Sequence, residues 1–486
     1  MNIVDAILYQ CKHRPSVAAI CCPGTMLNII SYGKLERFIN NIGRQALAAG
    51  IVRGSAVAIM VADKIFHAAI VLGLMRIGVV SVSARHEKLP KELNVDVAIT
   101  DAPRQFENAK RVIIADMAWT MGDGKPLADE NVYRSDGDDI CRIMLTSGTT
   151  GEAKGVAFSH RMLIDRLQHY DVAKGPGFPF YSRVYCDLGM TTAAGFRHLL
   201  YMLTRGGTIF FYGEDAMTTL QTFDLYKVQA MIASPFALGE YLKFFEEHPD
   251  FHAGFEYISA AGGIVSKTLS ERIRARLTPN LVCNYGSTEA GSVACAPAHL
   301  IANIPNAVGH VAPWITVEIV DGSGQVLRPG QEGVVRIRGP YNVSGYVGDP
   351  VETAKAFRDG WFYPGDIGYL TEDRLLIILG RNDAVLNIGG DKVGPEGVEQ
   401  VLTSFAGIEQ AGAFSVADEF GNGELWAAVV APSGFDEKAL RAHCGQHLVA
   451  MNIPVRFVTV EQLPRNEFGK LNRPRLQEIA ETTASN

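Results

Sequence analysis

The segment IMLTSGTTGEAKGVAFSH, residues 143–160, carries the densest chemistry in the chain. An apolar strand runs into a loop of hydroxyls and glycines. Backbone N–H groups in such a loop form an anion-binding concavity. Thr146, Ser147, Thr149 and Thr150 add hydroxyl donors, and Lys154 adds a positive charge. Gly148, Gly151 and Gly155 let the backbone approach a ligand closely. Together these groups suit a polyphosphate. A Walker loop needs G-x-x-x-x-G-K-[ST]. Counted from Gly148, its second glycine would fall on Ala153, and Gly155 rather than a hydroxyl residue follows Lys154. P-loop kinases and NTPases therefore recede.

Three further segments carry reactive side chains. In NYGSTE, Tyr285 can lay its ring against a purine. Thr288 offers a hydroxyl beside phosphate, and Glu289 is a hard oxygen ligand suited to Mg²⁺. In YPGDIG, Asp366 can accept both hydroxyl protons of a ribose. Lys470 lies between Pro464 and the basic run KLNRPR, and by itself reads as a solvated surface lysine. Asp383 by itself is an unremarkable linker residue, and Gly389-Gly390 by themselves read as a turn.

Elements of alternating type must hold these groups. HAAIVLGLMRIG (67–78) reads as an apolar helix, followed directly by the β-branched strand VVSVSA (79–84) and a short strand VAIT near 96–100. The pattern returns with a helix near 193–204 and the strand TIFFY, then over 226–247 and 256–283. Such alternation predicts parallel sheets covered by helices, an α/β fold. After about Gly309 the texture becomes strand, turn, strand, with Asp321-Gly322 and Pro329-Gly330 as turns, which predicts a small antiparallel β unit. LLIILGRNDAVLN (375–387) reads as a strand entering a polar turn. Beyond it, helices over 396–404 and 436–449 and strands over 411–417 and 425–431 predict a compact α+β unit. The boundary falls near Arg381–Asp383, giving residues 1–380 and 381–486.

TSGTTGEAKG resembles the signature loop of the adenylate-forming superfamily, which comprises acyl- and aryl-CoA synthetases, luciferases and peptide-synthetase adenylation domains. NYGSTEAG (284–291), GWFYPGDIG (360–368), GRNDAVLNIGGDKVGPEGVE (380–399) and PRNEFGKLNR (464–473) follow in that family's order. The resemblance spans nearly the whole chain. Ala153 stands where the family has Pro, and Pro364 where it has Thr. The resemblance implies a large N-terminal domain and a small mobile C-terminal one. It implies ATP, Mg²⁺ and coenzyme A as reactants of a small-molecule carboxylic acid. It puts Gly262, Gly263, Asn284 and Gly286 in the nucleotide site with the loop, makes Arg381 a second ribose contact, Asp383 the hinge and Lys470 the catalytic lysine, and sets Gly389 and Gly390 along the CoA tunnel.

Acetyl-activating members of that family carry a pocket-filling Trp where this chain has Gly286, which argues for a larger acid. Ala260 and Ala261 leave further room, and Met190 and Thr191 replace a frequent His, so Met190, Ala261 and Gly286 form the expected acyl pocket. The chain ends about 16 residues after Lys470, so CoA is expected over an attached carrier. A separate carrier-protein thiol, or a non-catalytic small-molecule sensor, stays open as an alternative. The Lys470 loop also resembles one that protein lysine acetyltransferases modify.

Composition agrees with a folded enzyme of small molecules. Of 486 residues, 47% are hydrophobic and 20% charged, and the net charge of −7 argues against a nucleic-acid partner. Eight cysteines include no C-x-x-C pair, which reads as scattered buried thiols in a reducing cytoplasm. The N-terminus lacks a secretory pattern, and the longest apolar stretch, Ala68–Val82, falls short of the ~20 residues that span a bilayer.

Overall fold

A computed structural model describes the chain except for residues 85, 147–152, 175–177, 214, 250, 252–253, 382–385, 389–390, 418–422, 433, 449, 466–470 and 486. Helix Lys64–Arg76 begins where the Asp63 side chain accepts from the Phe66 N–H, and its apolar residues are buried on nearly every side. It connects the parallel strands Ala56–Met60 and Val80–Ser83. These lie in a six-stranded sheet ordered Ala109–Ile114, Val95–Thr100, Ala56–Met60, Val80–Ser83, Ile140–Thr146 and Lys154–Ser159. Only the last pair, Ile140–Thr146 with Lys154–Ser159, is antiparallel, and Lys154–Ser159 forms that edge of the sheet.

A second sheet has fifteen strands. Its parallel part carries Arg183–Cys186, Ala230–Ala233, Tyr257–Ala261 and Leu281–Ser287 in register. Leu281–Ser287 then pairs antiparallel with Gly291–Pro297, and the sheet continues through Ala307–Val311 and Leu375–Arg381 to Asp366–Leu370 and Gly333–Arg338. The strands of the small antiparallel β unit are thus hydrogen-bonded to the parallel ones and continue the same sheet. Composition registers a change of pairing direction but not sheet continuity, since the two strand types abut at one hairpin.

The apolar part of the segment 375–387 is a strand, as expected, and a further short strand follows it. Leu375–Arg381 ends the large sheet, and Leu386–Ile388 pairs with Asp391–Val393. The C-terminal region holds a three-stranded sheet of Gln410–Ala417, Gly423–Val430 and Arg456–Thr459, with helices Pro395–Thr403, Glu437–His447 and Arg473–Ser485. It has its own apolar clusters, around Val398, Leu402 and Leu425 and around Phe414 and Leu476. It meets the rest of the chain at Lys243–Glu409, 2.7 Å apart, and where Arg465 lies over the Phe236 ring. All eight cysteines are free, and only Cys295 is less than fully buried.

Candidate active site

The carboxyl end of strand Tyr257–Ala261 and the hairpin Leu281–Pro297 border a cavity of about 2790 Å³. Ligands of α/β sheets characteristically bind at the carboxyl ends of strands. Thr146, Lys154, Ala261, Gly262, Gly263, Asn284, Tyr285, Gly286, Thr288, Glu289 and Asp366 all line it. Four segments far apart in sequence therefore converge on one space. The C-terminal region contributes Pro464, Arg465 and Arg473 to the same wall.

Asp366 is 6% exposed, and its carboxylate accepts a hydrogen bond from the Tyr285 hydroxyl. Strand register sets Asp366 opposite Arg381, whose backbone alone is described. The Asn284 amide donates to Ser259 Oγ at 2.9 Å. Gly262 has φ +90°, a left-handed conformation that a side chain would strain.

Glu289 is 7% exposed, and its carboxylate accepts from the Tyr346 hydroxyl at 2.9 Å. The Tyr346 ring also lies 5.1 Å from Lys154 Nζ. Lys154 pairs with Glu352, which Lys355 also approaches at 2.6 Å. Those two cations, Lys154 foremost, hold the Glu352 carboxyl below the usual carboxylate range.

Two arginines escaped the sequence reading. Arg166 donates to the carbonyls of Thr288 (2.9 Å), Glu289 (2.9 Å) and Tyr341 (2.7 Å), so it fixes the turn that carries the two candidate catalytic groups. Burial pushes its guanidinium down to about 9. Arg197 donates to Ser292 Oγ at 2.8 Å. The available signals were weak: Arg166, His169 and Tyr170 share a helix face at i, i+3 and i+4, and Arg197 is a lone charge in AAGFRHLLYML.

Two acyl-pocket expectations need correction. Met190 is 5% exposed, packs in the main apolar core, and is not among the residues lining the cavity. Thr192 and Ala193 face the space instead. Gly286 lines the cavity, but a Cβ there would lie 2.1 Å from the Gly291 carbonyl oxygen. The absent side chain therefore admits the neighbouring strand at a register shift between Tyr285 and Gly286, and does not open room for an acid. Ser147, Gly148, Thr149, Thr150, Gly151, Asp383, Gly389, Gly390 and Lys470 lie outside the described residues.

Comparison with known proteins gives two family matches. Residues 8–347 match the AMP-binding enzyme family, and residues 397–470 match the AMP-binding enzyme C-terminal domain. A 2-succinylbenzoate–CoA ligase of Geobacillus sp. (strain WCH70) is 29% identical over 92% of each chain. A fatty acid–[acyl-carrier-protein] ligase, ScoC of Streptomyces coeruleorubidus, is 26% identical over 98% of this chain and 96% of its own. The anthranilate CoA ligase AuaEII, solved with anthranoyl-AMP, shares the fold at a TM-score of 0.86 with 18% identity, over 100% of this chain and 98% of its own.

Proposed function

Because the chain belongs to the AMP-binding enzyme family, we propose that it joins a carboxylic acid to coenzyme A in two steps. The acid's carboxylate oxygen attacks the α-phosphorus of ATP, the bond to pyrophosphate breaks, and an acyl-AMP forms. The CoA sulfur then attacks the acyl carbon, the carbon–oxygen bond to AMP breaks, and acyl-CoA and AMP leave. The observation that carries this reading is the convergence of Thr146, Tyr285, Thr288, Glu289 and Asp366 on one cavity.

The first step brings two anions together. At about 4 Å and an effective dielectric near 20, one charge pair is worth ~4 kcal/mol. Cations at the site therefore change the rate by orders of magnitude. The acid needs no general base, since it is ionised at neutral pH. Catalysis is then positioning and electrostatics. Tyr285 lies along the purine, Asp366 and Arg381 hold the ribose, and the loop from Thr146 to Lys154 holds the leaving pyrophosphate. Arg166 keeps Thr288 and Glu289 in place through their carbonyls. Glu289 would hold Mg²⁺: its carboxylate faces the cavity and, among the described residues, has one hydrogen bond, from Tyr346, for about four lone-pair sites. When bound, the ion supplies charge neutralisation at the polyphosphate.

Residues 1–380 act as the adenylating domain and 381–486 as a small domain that turns about Asp383. That turn withdraws Lys470 and brings Gly389 and Gly390 to the thiol. Acetylation of Lys470 by a protein lysine acetyltransferase would remove its charge. Among the described residues no helix is long and apolar enough to cross a membrane, and we assign the enzyme to the cytoplasm.

ATP–pyrophosphate exchange over a panel of acids tests the first step, and thioester formation tests the second. Exchange with no acid would overturn the proposal in favour of a non-catalytic sensor. The other acceptor to be tested is a carrier thiol, since one relative is a fatty acid–[acyl-carrier-protein] ligase. Product formation with a pantetheinylated carrier but not with CoA would establish it.

A further inference from the structure

Arg197 sits on helix Ala193–Arg205 and faces the cavity. Its one hydrogen bond among the described residues runs to the Ser292 hydroxyl, and its Nε is buried without a partner. No described carboxylate lies within ion-pair distance of it. The groups around it are the Tyr170 and Tyr257 phenols and the Cys186 thiol, and the nearby charge is the like charge of Arg166. Arg166 is already committed to three backbone carbonyls. A half-buried guanidinium that faces a cavity with no described counter-charge is suited to an anionic ligand, and its planar fork fits a carboxylate.

The position is informative. Ser292 is the register partner of Gly286, on the hairpin whose turn carries Thr288 and Glu289. The guanidinium is therefore anchored beside the nucleotide segment. The surrounding wall is aromatic: the Arg197 guanidinium lies 4.8 Å from the Tyr170 ring centroid, and Phe178 meets Tyr257 edge-on at 5.2 Å. Such a wall suits a flat apolar body.

We propose that the acid this chain activates is a dicarboxylate on an aryl body, and that Arg197 pairs with the carboxylate that is not activated. The inference rests on the adenylating reading above for the fate of the first carboxylate. Asp187, which also lines the cavity, does not serve as the missing partner, because its carboxylate accepts from Tyr241 (2.8 Å) and Tyr185 (3.2 Å).

Matched acids test it: 2-succinylbenzoate against 3-benzoylpropanoate, phthalate against benzoate, and 4-carboxycinnamate against cinnamate. Each pair differs by one carboxylate. The wild-type enzyme should prefer the diacid of at least one pair by about 10- to 100-fold in kcat/KM for exchange, the usual effect of a charge-assisted hydrogen bond. Arg197→Met should collapse that ratio mainly through KM, and Arg197→Lys should restore part of it. A diacid preference in no pair, or an unchanged ratio in Arg197→Met, would overturn the proposal. Melting curves with each acid and without ATP report binding directly. If no acid supports exchange, the adenylating reading fails, and an Arg197-dependent melting shift with the diacid alone still decides the role of Arg197. The same curves without acid report whether each variant folds.

Discussion

Replacing Gly286 by alanine separates two explanations of why glycine stands there. The added methyl would lie 2.1 Å from the Gly291 carbonyl oxygen, 3.0 Å from its carbon and 3.1 Å from Ser292 Cα. All three are backbone atoms, so no rotamer change relieves the contact. Strands Leu281–Ser287 and Gly291–Pro297 must separate by more than an ångström to reach ordinary contact. Overpacking of this kind costs about 1–3 kcal/mol. At roughly 2–4 °C per kcal/mol for a unit of 150–250 residues, Gly286→Ala should melt about 2–12 °C lower. The displacement falls on the Ser292 anchor of Arg197 and on the turn holding Glu289, so exchange should fall for every acid alike. Thermal melting by circular dichroism and exchange with acids of increasing size are the measurements. A variant that melts within a degree of wild type, together with a Gly286→Trp variant that folds and shifts preference to short acids, would refute the packing argument and restore a pocket role for this glycine.

Glu289→Gln keeps the shape and the Tyr346 contact but removes the charge, so it should fold normally and lose most Mg²⁺-dependent exchange; wild-type rates would reject the metal assignment. Lys470→Ala should abolish adenylation yet convert supplied acyl-AMP to acyl-CoA, and enzyme acetylated at Lys470, mapped by mass spectrometry, should behave likewise; equal loss of both half-reactions would count against this role. Asp383→Pro fixes φ at that position and should impair thioester formation more than adenylation, as read by separate half-reaction assays. Burial, opposed by Arg473, pushes the Glu399 carboxyl up to about 7. A raised carboxyl pKa stabilises the fold below about 4.5, and that contribution is lost as pH rises to about 7. Melting temperature should therefore fall less over this window in Glu399→Gln than in wild type, and identical pH profiles would disprove the shift.

The legible parts of the site were those where chemistry is written in consecutive residues. The apolar strand expected to run into the hydroxyl-rich segment stands as Ile140–Thr146, because the change from apolar residues to turn glycines and hydroxyls advertises itself, whereas the return strand Lys154–Ser159 was not foreseen. Arg166 and Arg197 were illegible for a physical reason: each acts through partners more than ninety residues away, which only the folded sheet brings near. Gly286 was misread because a missing side chain looks the same whether it makes room for a ligand or for backbone. Met190 was misread because the start of a helix does not reveal which of its neighbouring residues turn toward the core. The continuity of the large sheet could not be read from alternation, which reports each strand but not its neighbours.

The cysteines bear on the fate of the intermediate. Cys283 and Cys295 line the cavity in which an activated acyl group would be held. Burial pushes the Cys283 thiol up to about 11 and raises that of Cys295 as well. The reactive nucleophile is the thiolate, so at neutral pH both side chains stay in the sluggish protonated form. In an enzyme that makes thioesters this slows acylation of its own cavity cysteines, and the sulfur meant to capture the mixed anhydride arrives with the second substrate.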